Sequence, residues 1–296
     1  MSKKKEIKKV VMLIIFLSSI YLANGQSNGS IKIISANVRV ALKEDSLKGL
    51  GWNDRKKNVF KVIRNQNPDI ICLQEVIKVQ NEDFKNAFKT FYAIGFEGPE
   101  MDPYTDGGYY KIAKNPILYN KSKFKLISAG QYWLSDTPHL AGSVAWGSSR
   151  ARNVNWLRLE EKSSGKQFRV LNTHLDHKSS IAKLKQTQMI IEETNQYQDE
   201  FIQILAGDFN SDQESLVVKS IINYWKDSYG ELYSHNDPGF TVHGFLGENA
   251  KTTNGKVDFI FIKGDVVSRK SKVIKDKIAG IYPSDHYFVT ADLEFK

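Results

Sequence analysis

The stretch that most constrains this chain is Phe201-Ile202-Gln203-Ile204-Leu205-Ala206-Gly207-Asp208-Phe209-Asn210. A short, mostly apolar run ending in Gly reads as a buried strand that stops at a tight backbone site. Asp208 and Asn210 follow at that end, two positions apart, so in extended geometry their side chains share one face. A carboxylate beside a neutral amide suits a phosphate ester near a metal. The Asp can hold or orient a water, and the Asn NH2 can donate to a phosphate oxygen without competing for the cation. Alone, G-D-x-N is more simply a strand ending in a polar turn, and its meaning depends on the rest of the chain.

The flanking pattern alternates strands and helices. Ile31–Val40 is rich in β-branched residues and reads as a first strand carrying Asn37. Trp52, Val59 and Ile63 fall on one helical face, and that helix stops before Pro68, which pushes Asn67 out of α geometry. Ile70–Leu73 is the next buried strand, with Gln74 and Glu75 at its end. Further strands are expected at Tyr92–Phe96, Pro116–Tyr119, Phe124–Leu134, Asn153–Leu159, Phe168–Thr173, Val257–Ile262 and Tyr287–Glu294, with a weaker one at Val266–Ile274. Helices are expected at Asn81–Phe88, at Ser180–Tyr197 with Ile181, Leu184 and Ile191 on one face, and at Ser211–Tyr224. Gly95–Tyr110 and His139–Arg152 read as long irregular loops. With no repeats and no Pro- or Ser-rich linker, residues 26–296 read as one α/β domain, stacked mixed sheets with helices outside.

The first 25 residues stand apart. Met1–Lys9 is basic, Val10–Leu22 is apolar, and Ala23-Asn24-Gly25 offers small residues at both cleavage-site positions. That order matches a secretory signal peptide, its apolar core falling short of the ~20 residues a spanning helix needs; an uncleaved anchor is the alternative. An exported protein, periplasmic or extracellular, with no stable membrane span after cleavage is the expectation. Without residues 1–25, which carry five Lys and one Glu, the net charge falls from +9 to +5. A moderately basic surface is compatible with a polyanionic substrate without demonstrating one. Cys72 is the only cysteine, so no intramolecular disulfide can form and the core must carry stability. Within Ile70-Ile71-Cys72-Leu73 it reads as a buried apolar residue.

Other motifs place polar groups at strand ends. Phe168–His177 (F-R-V-L-N-T-H-L-D-H) carries Asn172, His174 and Asp176, and Val257–Ile262 sets Asp258 among apolar residues, where an unpaired carboxylate is costly. Tyr282-Pro283-Ser284-Asp285-His286 is a turn leading into the last strand. Taken in order, S-A-N-V at Asn37, I-C-L-Q-E-V at Glu75, N-T-H-L-D-H, G-D-F-N, V-D-F-I-F and S-D-H resemble the endonuclease/exonuclease/phosphatase superfamily of deoxyribonuclease I-like proteins. Y-W-L-S-D-T-P (132–138), Arg152 and F-T-V-H-G-F (240–245) further resemble a bacterial subgroup related to Ccr4-like deadenylases and nocturnin.

The resemblance implies a four-layer α/β/β/α sandwich whose strand-end loops form the cleft. It implies that Glu75, with Asn37 and Asp285, holds a divalent cation, and that Asp208 orients or deprotonates the attacking water while Asn210 contacts phosphate. His286, oriented by Asp258, and His174 would stabilise the pentacovalent phosphate and assist the leaving oxygen. Arg152, Asn172, Trp146 and His243 are the expected substrate contacts. All-oxygen ligands favour Mg2+ or Mn2+ over Zn2+. One departure stands out: many members carry a Glu just before the strand here written N-P-I-L-Y, where it pairs with the N-T-H histidine. Ala113 occupies that place, followed by Lys114, so His174 lacks its usual partner unless Asp176 or a loop carboxylate substitutes.

A metal-dependent phosphoester hydrolase follows, acting as a monomer on a nucleic acid, a nucleotide, or a lipid or sugar phosphate. Trp133, Trp146, Tyr109, Tyr110 and Phe245 could stack bases or sugars, or anchor core and loops. A catalytically inactive binding module on the same fold is the competing class. Six retained polar residues, Glu75, Asp208, Asn210, Asp258, Asp285 and His286, weigh against it.

Overall fold

In the computed structural model, which describes residues 29–104, 106, 108–234, 238–252 and 254–296, the alternation of apolar side chains along the strands decides the architecture. Strand β1 (Ser30–Asn37) sends Ile31 and Ile33 to one face and Ile34 and Ala36 to the other. β2 (Ile70–Gln74) divides Ile70 and Cys72 from Ile71 and Leu73 in the same way. Strands apolar on both faces must be covered on both. β1 and β2 pair in parallel. β3 (Phe91–Ile94), β4 (Ile117–Asn120), β11 (Val266–Ile274) and β12 (Phe288–Phe295) join them antiparallel in the order β11-β12-β1-β2-β4-β3.

A second sheet is built the same way. β5 (Phe124–Trp133), β6 (Asn153–Glu161), β7 (Gln167–His174), β8 (Gln203–Asp208), β9 (Lys226–Asp227) and β10 (Asp258–Lys263) take the order β5-β6-β7-β8-β10-β9. Here β7 and β8 form the parallel pair. Between the sheets lie Ile33, Cys72, Phe168, Val170, Ile204 and Ile260 among others. Helices Trp52–Asn65 and Lys78–Ala87 cover the outer face of the first sheet, packing Val59, Val62 and Phe84 with Ile34, Ile71 and Leu73. Helices Ser180–Thr194 and Leu216–Ile222 cover the second, packing Ile190, Val218 and Ile221 with Leu171, Leu205 and Phe261. The result is a four-layer α/β/β/α sandwich of two mixed sheets.

Two helices differ from the sequence-based expectation. In Ser180–Thr194 the buried face is Ala182, Gln186, Ile190 and Ile191; Ile181 and Leu184 are exposed. Buried Gln186 explains the difference: it accepts from the Asp176 N–H at 2.9 Å, and that bond fixes which way the helix turns. The next helix begins at Leu216 rather than Ser211, because Ser215 caps it by accepting from the Val218 N–H. The signal-peptide segment, residues 1–25, lies outside the described residues. Among the described residues no helix is long and apolar enough to cross a membrane.

The layering also positions the polar residues. Asn172, His174, Asp208 and Asp258 continue the alternation of the inner apolar residues Phe168, Val170, Ile204, Ala206, Ile260 and Ile262. At one end, therefore, the inner layer changes from hydrocarbon to carboxylate, amide and imidazole. Register aligns three of these residues side by side: His174 is opposite Asp208 on β8, and Asp208 is opposite Asp258 on β10. Gly207 permits that crowding, since a Cβ there would stand 2.3 Å from the Thr173 carbonyl oxygen.

Candidate active site

The polar end of the inner layer opens into a cleft of about 290 Å3, lined by Glu75, His174, Asp208, Asn210, Asp285 and His286 together with Arg152. A larger cavity of about 710 Å3 beside Trp225, Lys256 and Phe259 contains none of the polar residues singled out above, so the smaller cleft is the candidate site.

Asp208 sits at its centre, buried. Its Oδ2 accepts from Asn37 Nδ2 at 2.9 Å and its Oδ1 from the Asn210 N–H at 2.8 Å. Burial and the neighbouring Asp258 charge push its carboxyl up to about 7, against the pull of His286. The second of those bonds corrects the extended geometry expected for Asp208 and Asn210. Asn210 has φ 46°, and an Asx-type turn brings the two side chains together. Asn210 Nδ2 donates to the Leu175 carbonyl at 3.0 Å and to His174 Nε2 at 2.9 Å.

His286 and His174 flank Asp208 unequally. His286 Nδ1 lies 2.9 Å from Asp258 Oδ2, and its Nε2 lies 3.9 Å from Asp208. Burial alone would lower its pKa, but the Asp258 carboxylate, with Asp208 and Asp285 behind it, holds the imidazole well above its ordinary value. His174 Nε2 lies 3.3 Å from Asp208 Oδ2, yet burial and the Arg152 charge press its pKa well below the ordinary value. Among the described residues, no carboxylate takes the place of the missing Glu. Asp176 is turned away, accepting from Ser149, Lys178 and Ser179. Glu100 ion-pairs with the buried Lys114, which also donates to Gln131.

Glu75, at φ 63°, presents its carboxylate from the end of β2. Burial would raise its pKa, but the Val40 N–H at 2.9 Å, His286 and the Asn37 amide together hold it below the usual range. Asp285 is raised, by burial first and then by Glu75, against the opposing charge of His286. These two hard carboxylates in a cleft wall fit a hydrated divalent cation, which keeps several waters. Asn37 turns its NH2 toward Glu75 and Asp208, and its oxygen accepts from the Arg39 N–H at 3.0 Å. It therefore meets the carboxylates as a donor, not as the oxygen ligand expected. Asp208, Asp258 and His286 also lie within 4.8 Å of one another. There, His286 Nδ1 is already engaged by Asp258, which leaves only its Nε2 to face Asp208.

Three expected substrate contacts lie elsewhere. Asn172 is buried behind the cleft, its amide taken by Gln74 and by the carbonyls of Leu73, Asn115 and Pro116, where it ties one sheet to the other. His243 is buried against Tyr282 and Tyr287, and its pKa is pushed down to about 4 by burial. Trp146 does not line the cleft and uses its carbonyl to receive Ser179 Oγ. Trp133 is a buried core residue under Lys114. Arg152 does reach the cleft, with Nη2 3.3 Å from His177 Nδ1.

Sequence reading missed Arg55. This fully buried guanidinium donates to the carbonyls of Val38, Pro283 (2.9 Å), Arg39 (2.6 Å) and Leu50 (3.0 Å), and so ties the loop after Asn37 to the loop holding Asp285. Burial pushes its pKa down to about 10. The available signal was an Arg on the apolar face of a helix, three residues after Trp52 and four before Val59.

Residues 34–286 match the model of the endonuclease/exonuclease/phosphatase family. The chain is 28% identical over 208 residues to the uncharacterized protein L388 of Acanthamoeba polyphaga mimivirus, covering 67% of this chain and 73% of that one. It is 27% identical over 291 residues to a probable CCR4-Not complex 3'-5'-exoribonuclease subunit Ccr4 of Encephalitozoon cuniculi, covering 81% of this chain but only 56% of that protein. The structure of a Bacteroides thetaiotaomicron mannosyl-6-phosphatase superposes with TM-score 0.77 at 26% identity, covering 90% of this chain and all of that one. Members of this family act as phosphoester hydrolases, nucleases and phosphatases among them, and generally depend on a divalent metal. A family match across both sheets, with its motif residues gathered at one end of the inner layer, leads to one conclusion: the chain belongs to the endonuclease/exonuclease/phosphatase family.

Proposed function

We propose that this protein is an exported phosphoester hydrolase that works with Mg2+ or Mn2+. The observation that carries the reading is the buried row His174, Asp208, Asp258 with His286 locked onto Asp258, opening on a cleft that also holds Glu75 and Asp285. Glu75 and Asp285 would hold the cation, which would supply Lewis-acid stabilisation of phosphate charge. Asp208, its carboxyl raised to about 7, suits a group that accepts a proton from an attacking water. His286, held protonated by Asp258, and Arg152 would donate to the phosphate oxygens as charge develops. Asn37 positions Asp208 and Glu75. Asn210, whose amide is already engaged, steadies His174 as much as it could touch substrate.

The test is a panel of DNA, RNA, nucleotides, sugar phosphates and phospholipids, with Mg2+ and Mn2+, for wild type and Asp208→Asn. Hydrolysis of one class that is lost on chelation and in Asp208→Asn is expected. Glu75→Gln should raise the metal concentration needed. Activity unaffected by chelator or by Asp208→Asn would refute the assignment; tight binding without turnover would favour the binding module. Export is tested by mass spectrometry of protein recovered from a bacterial host. A mature N-terminus at Gln26 is expected, and a stable chain still beginning at Met1 would refute it.

A further inference from the structure

Hydrolysis of a single phosphate leaves part of the cleft without a task. Lys111, Arg150 and Arg152 line it with His177 and Tyr109. Among the described residues, none of the three cations has a carboxylate within ion-pair distance. Arg39, by contrast, is held by Asp45 at 2.8 Å and Asp285 at 3.3 Å. Neighbouring like charges without a counter-ion repel, so a fold that holds them together in a cleft holds a place for an anion.

Arg150 is held by its neighbours, whereas Lys111 and His177 are exposed. Arg150 donates from Nε to the Tyr109 hydroxyl at 3.1 Å and from Nη1 to the Ser149 carbonyl at 3.0 Å, which fixes the plane of its fork. Ser149 is pinned in turn: its N–H and hydroxyl both donate to Asp176 Oδ1, at 2.8 and 2.7 Å. Fully buried Asp176 is anchored at its other oxygen by the N–H groups of Lys178 and Ser179. His177 Nδ1 lies 3.1 Å from Ser149 Oγ and 3.3 Å from Arg152 Nη2, which places the ring between the pinned serine and the deeper arginine.

The two arginines have different neighbours: Arg150 is held on Tyr109, and Arg152 lies against His177, both in the wall of the same cleft. The cleft's volume, about 290 Å3, matches the smallest ligand pockets and suits a small molecule.

We propose that Lys111, Arg150 and His177 form a subsite for a second phosphate group of the substrate, beside the phosphate received by Arg152. The substrate class is then a small ester bearing two phosphates. This rests on the hydrolase reading above but can fail separately from it. The test is titration calorimetry of wild type, Arg150→Gln and Lys111→Gln with inorganic phosphate and with methylenebisphosphonate, Mg2+ being held in excess over either probe. A charge-assisted donor pair corresponds to roughly a tenfold gap in affinity. The bisphosphonate should bind wild type at least about tenfold tighter than phosphate does. Each substitution should remove most of that gap while phosphate binding changes less than about twofold. No gap in wild type, including no binding of either probe, would overturn the subsite, as would equal weakening of both probes in the variants. Because the readout needs no turnover, an ester panel with no hydrolysis sinks only the hydrolase reading, and a working hydrolase without the gap sinks only the subsite.

Discussion

His286 Nδ1 lies 2.9 Å from Asp258 Oδ2, and among the described residues nothing equivalent backs His174. The polar atoms around His174 Nε2 are Asn210 Nδ2 at 2.9 Å and Asp208 Oδ2 at 3.3 Å. The Asn210 amide is oriented by the Leu175 carbonyl, so its NH2 faces the ring and Nε2 serves as acceptor, the form of a neutral imidazole. His286→Ala should therefore cost more in kcat than His174→Ala, within the ~10²–10⁴-fold range of general acid–base assistance. Asp258→Asn should fall close to His286→Ala. Steady-state kinetics on the best substrate, with folding checked by circular dichroism, decides this. A more damaging His174→Ala would show that His174 is charged in the working enzyme.

Asp208 should trade stability for chemistry. Its carboxyl is raised by burial and by Asp258 to about 7 in the folded protein, against ~3.9 in an unfolded chain. The fold thus prefers the protonated form, and stability is lost as pH rises from ~4 to the folded value near 7. In metal-free protein above pH 7, Asp208→Asn should melt at a higher temperature than wild type while losing activity. The gain should shrink as pH falls from 7 toward ~4. Differential scanning calorimetry at several pH values reads this directly, and a pH-independent difference would contradict it.

Arg55 should matter to activity without touching the cleft. Its four carbonyl contacts join the loop just after Asn37 to the loop that carries Asp285. Arg55→Ala should destabilise by about 3 kcal/mol, because it leaves buried carbonyls unpaired. Arg55→Lys keeps a charge but not the fork, and should weaken metal affinity while the chain stays folded. Denaturant melts together with metal titrations separate the two effects. Wild-type metal affinity in Arg55→Lys would show that the loops hold their shape unaided.

Cys72 is fully buried between the sheets, and burial pushes its thiol well up. The native protein should not react with an aromatic disulfide reagent at pH 8, and denaturant should expose one thiol per chain at the rate of global unfolding. Rapid labelling of the native state would mean that the inner layer opens locally.

The strands were legible because their apolar residues are continuous or alternate, and the motif residues sit at strand ends where that pattern breaks. Register across β7, β8 and β10 could not be read from a single strand, yet it sets His174, Asp208 and Asp258 side by side. Buried polar residues were the other gap. Asn172 looked like a substrate contact because an amide among strand residues has the same signature whether it meets a ligand or three carbonyls. The helix at Ser180 was legible, but its buried face was not: Gln186 faces inward beside Ala182, Ile190 and Ile191, while Ile181 and Leu184 are exposed.

The place of β12 in the first sheet has a temporal meaning. This strand comes last in the chain, yet it is inserted between β11 and β1, and Asp285 and His286 lie just before it. During synthesis, the segments bearing Asn37, Glu75, His174, Asp208 and Asp258 can all emerge and begin to collapse, but the cleft stays unfinished until that strand zips into place. On the hydrolase reading proposed above, a chain lacking that strand should be inactive, so the first activity in a refolding or translation experiment should coincide with its docking.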